Sequence, residues 1–144
     1  MNIEKWLHKK RNLIIKIALS LTIFCFYDCL LDRGHFIAEI EGHLVGYLGA
    51  LGNQAKRKQH IVYIALGVLE NYQGKGVATS LFNEIFDWAK ATAISRIELT
   101  VMKKNKKALE LYKKLGFVIE GQKIHSLIID DNFEDEYYMY KLIL

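Results

Sequence analysis

Apolar and polar positions along this chain follow two different periods. From residue 35 the period is two, that of a half-buried strand. Residues 35–40 and 43–50 are strand-like runs around Glu41-Gly42, a pair suited to a tight hairpin. Residues 53–59, NQAKRKQ, form a polar, basic loop, and the β-branched and apolar run 60–69 predicts a third strand. After a turn-like link at 71–76 the period changes. Val77, Leu81, Ile85 and Trp88, with Ala78, Phe82 and Ala89 alongside, predict a helix over 77–91. Residues 96–102 alternate again, with Ile97, Leu99 and Val101 against Glu98, Thr100 and Met102. Asn105 is a good N-cap and Gly116 a good residue just past a C-terminus, so 106–115 reads as a second helix. Residues 117–120 read as a strand. Residues 125–129 and 136–142 read as a closing hairpin around an Asp/Asn-rich turn.

The first third is less decided. A helix is expected over 3–10. In 13–31, Ile15, Ile17, Leu19, Leu21 and Ile23 alternate with Lys16, Ala18, Ser20 and Thr22, which is a strand period. The length of the run also admits a helix, and periodicity does not separate the two in so apolar a stretch. From residue 35 the order is three strands, helix, strand, helix, three strands. The strand–helix–strand unit implies a parallel pair with a right-handed crossover, and the hairpins imply antiparallel pairs. The expected fold class is α/β (α+β mixed): a twisted, mostly antiparallel sheet with a central parallel unit and helices on both faces.

Composition sharpens this picture. A chain of 144 residues, 51% hydrophobic and 25% charged, makes one domain with a real core and is not disordered. Its two cysteines exclude a disulfide scaffold. Cys25 and Cys29 are four apart with no second Cys/His pair nearby, so no metal site is expected and reduced thiols in the cytoplasm are the simplest reading. Lys9-Lys10-Arg11 ahead of the apolar run resembles an export signal. However, Lys16 interrupts the run, and no small-x-small cleavage site follows at Tyr27-Asp28-Cys29. The uninterrupted part, 17–27, is far short of the roughly 20 residues that span a bilayer. A buried core element is expected there, with no stable membrane insertion. The net charge of +4 permits an anionic ligand without calling for nucleic acid.

Two segments carry chemistry. Gln73-Gly74-Lys75-Gly76-Val77-Ala78-Thr79 lies between a strand and a helix. Its glycines let a ligand approach the backbone. The first N–H groups of the helix face outward, the helix dipole favours an anion, and Lys75 adds a cation. The spacing is that of neither a Walker A loop nor a dinucleotide fingerprint. A glycine-rich helix start with no ligand is the plain structural alternative. In the second segment, Asn105 and Tyr112 are seven apart and share a helix face. Tyr112 can offer a proton from an apolar wall; the alternative is a core tyrosine.

Together the two segments resemble the GNAT superfamily of acetyl-CoA-dependent N-acetyltransferases. Its pyrophosphate turn, Gln/Arg-x-x-Gly-x-Gly/Ala, stands here as Gln73, Gly76 and Ala78. Its later Asn-x-x-Ala-x-x-x-Tyr-x-x-x-Gly-Phe element stands here as Asn105, Ala108, Tyr112, Gly116 and Phe117. The match runs over about residues 35–142 of a single 1–144 domain, and the apolar segment 1–31 departs from the family pattern.

The resemblance implies acetyl-CoA held between two parted parallel strands, 60–69 and 96–102. Leu66 and Val68 would contact it through the backbone, together with Gln73, Gly74, Lys75, Gly76, Val77, Ala78, Thr79, Asn105 and Tyr112. It implies direct attack by an amine, the Val68 N–H as oxyanion donor and Tyr112 as the catalytic acid for the leaving thiolate. Many relatives carry a glutamate base where this chain has Tyr63, which leaves His60, Glu98 or water for that role. The acceptor would be a small amine or a protein N-terminus. The acidic run Asp130, Asp131, Glu134, Asp135 and Glu136 either attracts a cationic amine or is a solvated turn. Lys103, Lys104, Lys106, Lys107, Lys113 and Lys114 read as a solvated helix face that can also meet the adenosine 3′-phosphate. A homodimer would cover exposed apolar surface near the N-terminus. The alternative function is an inactive acetyl-CoA-binding regulatory module on the same fold.

Overall fold

A computed structural model describes residues 13–18 and 32–144, with side chains described from residue 34 onward. Its strands are β1 (Leu13–Ala18), β2 (Asp32–Ile40), β3 (His43–Leu51), β4 (Ile61–Val68), β5 (Arg96–Met102), β6 (Val118–Ile129) and β7 (Asn132–Leu142). Its helices are α1 (Val77–Lys90), between β4 and β5, and α2 (Lys106–Lys114), between β5 and β6. Seven strands form one sheet in the order β1-β2-β3-β4-β5-β7-β6. Among the described residues only the β4–β5 pair is parallel. This is the mixed, mostly antiparallel sheet with a central parallel unit that the hydrophobic pattern predicts. Within the undecided N-terminal run, residues 13–18 are a strand; the helix expected over 3–10 lies outside the described residues.

The β2–β3 hairpin turns on Glu41 and Gly42, both at positive φ (51° and 81°), the left-handed pair that twists with its strands. α2 starts as predicted, with Asn105 Oδ1 accepting from the Ala108 N–H at 3.1 Å. It ends at Gly116, whose φ of 87° suits glycine.

The C-terminal region differs from the sequence reading. Three separate strands are expected over 117–142, whereas β6 runs unbroken from Val118 to Ile129 and β7 starts at Asn132. The expected break is a bulge: Lys123 pairs with Glu136 and the next pair is Leu127 with Glu134, so three residues face Asp135 alone. His125 takes φ 52° in this bulge, and its N–H donates to Asp135 Oδ1 at 2.9 Å. A contact between strands therefore bridges the gap in alternation.

The register assigns the two faces. Phe36, Leu48 and Leu66 are in line, as are Val62 with Ile97 and Leu99 with Met139. These face α1, whose Val77, Leu81, Phe82, Ile85 and Ala89 are buried with them in one core. Both described helices share this face: Phe82 of α1 meets Tyr112 of α2 and Phe117 edge-on, at 5.7 and 5.6 Å between ring centres. The helix expected on the second face is not among the described residues. The opposite face carries Tyr47, Tyr63, Glu98, Thr100, Tyr138 and Glu136.

Candidate active site

β4 and β5 pair only over Ile61–Arg96, Val62–Ile97 and Tyr63–Glu98. Beyond that point β4 continues to Val68 on β3, and β5 to Met102 on β7. The two strands part, and a cleft of about 210 Å³ opens between them, lined by Tyr63, Ile64, Ala65, Leu66, Leu99, Thr100 and Tyr112.

The antiparallel ladder decides which backbone groups face this gap. The Leu69 N–H donates to the Val45 carbonyl at 2.9 Å, so position 69 bonds towards β3. In an antiparallel pair the directions alternate residue by residue. Val68, Leu66 and Ile64 therefore turn N–H and C=O towards the β5 side, where pairing has ended. Buried or half-buried peptide groups need partners, so Leu66 and Val68 form an edge that an amide-bearing chain can complete. They are the two β4 residues to which the resemblance gives backbone contacts.

The glycine-rich turn stands at the end of the same edge. Gly74 and Gly76 have φ of 71° and 84°, a conformation that only glycine adopts freely. A Cβ at either position would meet no protein atom within 4 Å, so the space over the turn is open. Gly76 is the residue ahead of α1, and no side chain caps that helix. The N–H groups of Val77, Ala78 and Thr79 begin the helix and lack intrahelical partners. Gln73 ties the turn down: its Nε2 donates to the Val68 carbonyl at 3.3 Å, and its Oε1 accepts from Lys107 Nζ at 3.2 Å. Lys107, read as part of a solvated face, is thus brought from α2 to the glycine-rich turn. Lys75 Nζ lies 5.2 Å from the centre of the Tyr72 ring.

Tyr112 reaches the cleft from the helix side. Its ring packs against Phe82 and Phe117, and among the described residues its hydroxyl makes no hydrogen bond. Burial, and then the neighbouring Tyr63, raise its pKa above the usual tyrosine value, so the hydroxyl keeps its proton. On the other side of the sheet, Tyr63 Oη and Thr100 Oγ1 meet at 2.7 Å across the gap. Asn105 also stands at the start of α2, but its side-chain oxygen is taken by the cap.

Other sequence candidates are used elsewhere. His60 is exposed at the far end of β4, where its carbonyl accepts from Ser95 and Arg96. Six residues of strand, about 20 Å, separate it from Leu66. Glu98 accepts from Arg96 Nε at 2.6 Å, and Arg96 also pairs with Glu120. Of the acidic run, Glu134 pairs with Lys104, Asp135 holds the bulge and accepts from Gln122 Nε2, and Glu136 lies 3.4 Å from Lys123 Nζ. Asp130 and Asp131 shape the β6–β7 turn at positive φ. Thr100, which sequence reasoning does not single out, lines the cleft from the second face. Only the alternation that put Thr100 on the polar side of β5 pointed to it.

Comparison with known proteins gives the family and the fold. The acetyltransferase (GNAT) family matches residues 4–117. The L-amino acid N-acetyltransferase AaaT of Escherichia coli K12 is 34% identical over 107 residues, covering 72% of this chain and 64% of that protein. The spermidine N(1)-acetyltransferase of Vibrio cholerae is 34% identical over 113 residues, covering 77% and 64%. The matches thus span just under two thirds of these relatives' length. A GNAT-family acetyltransferase structure from Streptococcus pneumoniae superposes with a TM-score of 0.75 at 33% identity, over 78% of this chain and 68% of that one. The Salmonella typhimurium yncA structure, solved with acetyl-CoA, shares the fold with a TM-score of 0.72 at 19% identity, over 77% and 65%. With its family match over residues 4–117, a parted β4–β5 pair and a glycine turn opening α1, this chain belongs to the GNAT family.

Proposed function

We propose that this protein is an N-acetyltransferase that moves an acetyl group from acetyl-CoA to the nitrogen of a small primary amine. The observation that carries this reading is the edge from the open glycine turn, along the β5-facing groups of Val68 and Leu66, to the hydroxyl of Tyr112, which makes no hydrogen bond among the described residues. These residues suit the group they would hold. The turn and the first N–H groups of α1 receive phosphates, with Lys75 and Lys107 as cations, and the β4 edge receives amides. Acetyl-CoA supplies the acetyl thioester.

The chain's own residues supply the rest. The Val68 N–H is a donor for the reacting carbonyl oxygen. Tyr112 holds a proton for the departing sulfur. The amine must lose its proton first, against a pKa near 10.4. With His60 remote and Glu98 bound to Arg96, water at the cleft mouth is the base this reading leaves. The names of the relatives, an L-amino acid and a spermidine acetyltransferase, support a small amine as acceptor. A sequence with two cysteines and no disulfide framework supports the cytoplasm as the compartment. Among the described residues no helix is long and apolar enough to cross a membrane.

The test is acetyl-CoA-dependent thiol release against polyamines, amino acids, aminoglycosides and N-terminal peptides, in wild type and Tyr112→Phe. Release by wild type and its loss in the variant are expected. Acetyl-CoA binding by both, with release from neither, would make the protein a binding module instead.

A further inference from the structure

We propose that Tyr63 and Thr100 set the length of the acyl group: their hydroxyl bridge closes the narrow end of the gap between β4 and β5, so that the site takes a two-carbon acyl chain and rejects longer ones. The inference rests on the acetyltransferase reading above. Tyr63 belongs to the last paired position, Tyr63–Glu98, and Thr100 lies two residues beyond Glu98, about 7 Å along β5. The two hydroxyl oxygens are 2.7 Å apart, and both residues line the cleft. The bridge therefore runs over the start of the unpaired stretch, on the face away from α1 and α2. Either hydroxyl can donate, and the closure is the same in both directions.

The other walls resist displacement. Ile64 and Leu99 line the same cleft from the helix side and are buried in the close-packed core. Tyr112 also looks into the gap from that side, and Tyr63 is near enough to add to the rise in its pKa, so the two hydroxyls face one space from opposite faces. The exposed Tyr63 ring is the wall that could swing away, and its bond to Thr100 holds it. Thr100 is β-branched and stiff at χ1. Past the bridge the same face carries Ala65, small and exposed, which leaves an entrance for the amine.

Coenzyme entering from the glycine turn, with its sulfur at Tyr112, would lay its acyl chain in this closed end. An acetyl group puts one methyl there. Each further methylene has to displace Ile64 or Leu99, or part Tyr63 from Thr100 and lose their hydrogen bond. An apolar pocket discriminates by about 10- to 200-fold per methylene, and here a broken hydrogen bond adds to the penalty.

The experiment uses the full chain, with acetyl-, propionyl- and butyryl-CoA as donors and whichever amine gives the fastest thiol release in wild type. It compares Thr100→Ala and Tyr63→Phe, which each break the bridge, with Thr100→Ser, which can keep it. In wild type, kcat/KM should fall by about tenfold or more with each added methylene. Thr100→Ala, which also vacates a methyl, should raise the propionyl-to-acetyl ratio by about tenfold. Tyr63→Phe should raise it by about threefold or more, the worth of one hydrogen bond, and Thr100→Ser should hold the wild-type ratio. The ratio cancels any damage that touches all donors alike, and so separates a length gate from a brace between strands. A wild type that uses the longer donors as fast as acetyl-CoA overturns the proposal. So does a ratio unmoved in Thr100→Ala, or unmoved in Tyr63→Phe should the alanine variant not fold. If wild type releases no thiol from acetyl-CoA with any amine, the acetyltransferase reading fails and this inference falls with it, whereas release with equal use of all three donors sinks the length gate alone.

Discussion

Tyr112 joins a ring fixed by Phe82 and Phe117 to a hydroxyl that no described residue engages. Tyr112→Phe keeps the ring packing and removes only the proton. It should lower kcat by about 100-fold, the lower end for a lost acid, with acetyl-CoA binding and melting temperature close to wild type. Because burial and Tyr63 raise its pKa, Tyr112 stays protonated beyond the ordinary tyrosine value of about 10. Amine deprotonation should therefore carry kcat/KM upward from about pH 6 to pH 9, with no falling arm from Tyr112 in that window. Glu136 gives the opposite sign. Its folded-state pKa is lowered, so its ionised form adds stability above the ordinary glutamate value of about 4.3, and that contribution is lost as pH falls through the lowered value. In urea titrations Glu136→Gln should be less stable than wild type at neutral pH, with the gap closing under acid conditions. Tyr112 was legible in the sequence because a motif and a helix face coincided on it. Glu136 was legible only as one of an acidic run, because its partner Lys123 arrives from another strand. Asp135, read as part of either an acidic attractor or a solvated turn, accepts from the His125 N–H in the bulge.

At the scale of elements, α1 is seated by a missing side chain. A Cβ on Gly46 would lie 2.9 Å from Val77 Cγ1 and 3.2 Å from Leu81 Cδ1. Gly46→Ala should lift the first turns of α1 from β3 and cost about 1–3 kcal/mol, the usual range for overpacking, measured by chemical denaturation. Gly76→Ala differs, since its Cβ meets nothing. The substitution should cost only about 1–2 kcal/mol, for placing a side chain at φ 84°, while weakening acetyl-CoA binding by at least about tenfold, because the new methyl would enter the space the proposed site gives the coenzyme. The helices, the β2–β3 hairpin and β5 were readable from periodicity and caps. β6 was not, since Gly121-Gln122-Lys123 breaks the alternation locally and the strand is completed only by β7. The parting of β4 and β5 has no local signal either. It came from the family resemblance, and the register now gives its physical form: three paired positions, then none.

Across the whole molecule, the parted strands connect the two faces of the sheet. Tyr112 and the glycine-rich turn lie on the side of α1 and α2, and Tyr63, Thr100 and Glu136 on the other. One face would thus hold the acyl donor, and the other would admit the amine. The strand order makes this arrangement: the crossover through α1 places the glycine turn at the open end of the single parallel pair. The account's central claim is that this open end is a coenzyme site. Isothermal titration of acetyl-CoA into wild type, Gly76→Ala and Tyr112→Phe tests it most directly. The account predicts one site in wild type, a binding constant weakened by about tenfold or more in Gly76→Ala, and near wild-type affinity in Tyr112→Phe. Equal affinity in wild type and Gly76→Ala, or no heat of binding in wild type, would contradict it.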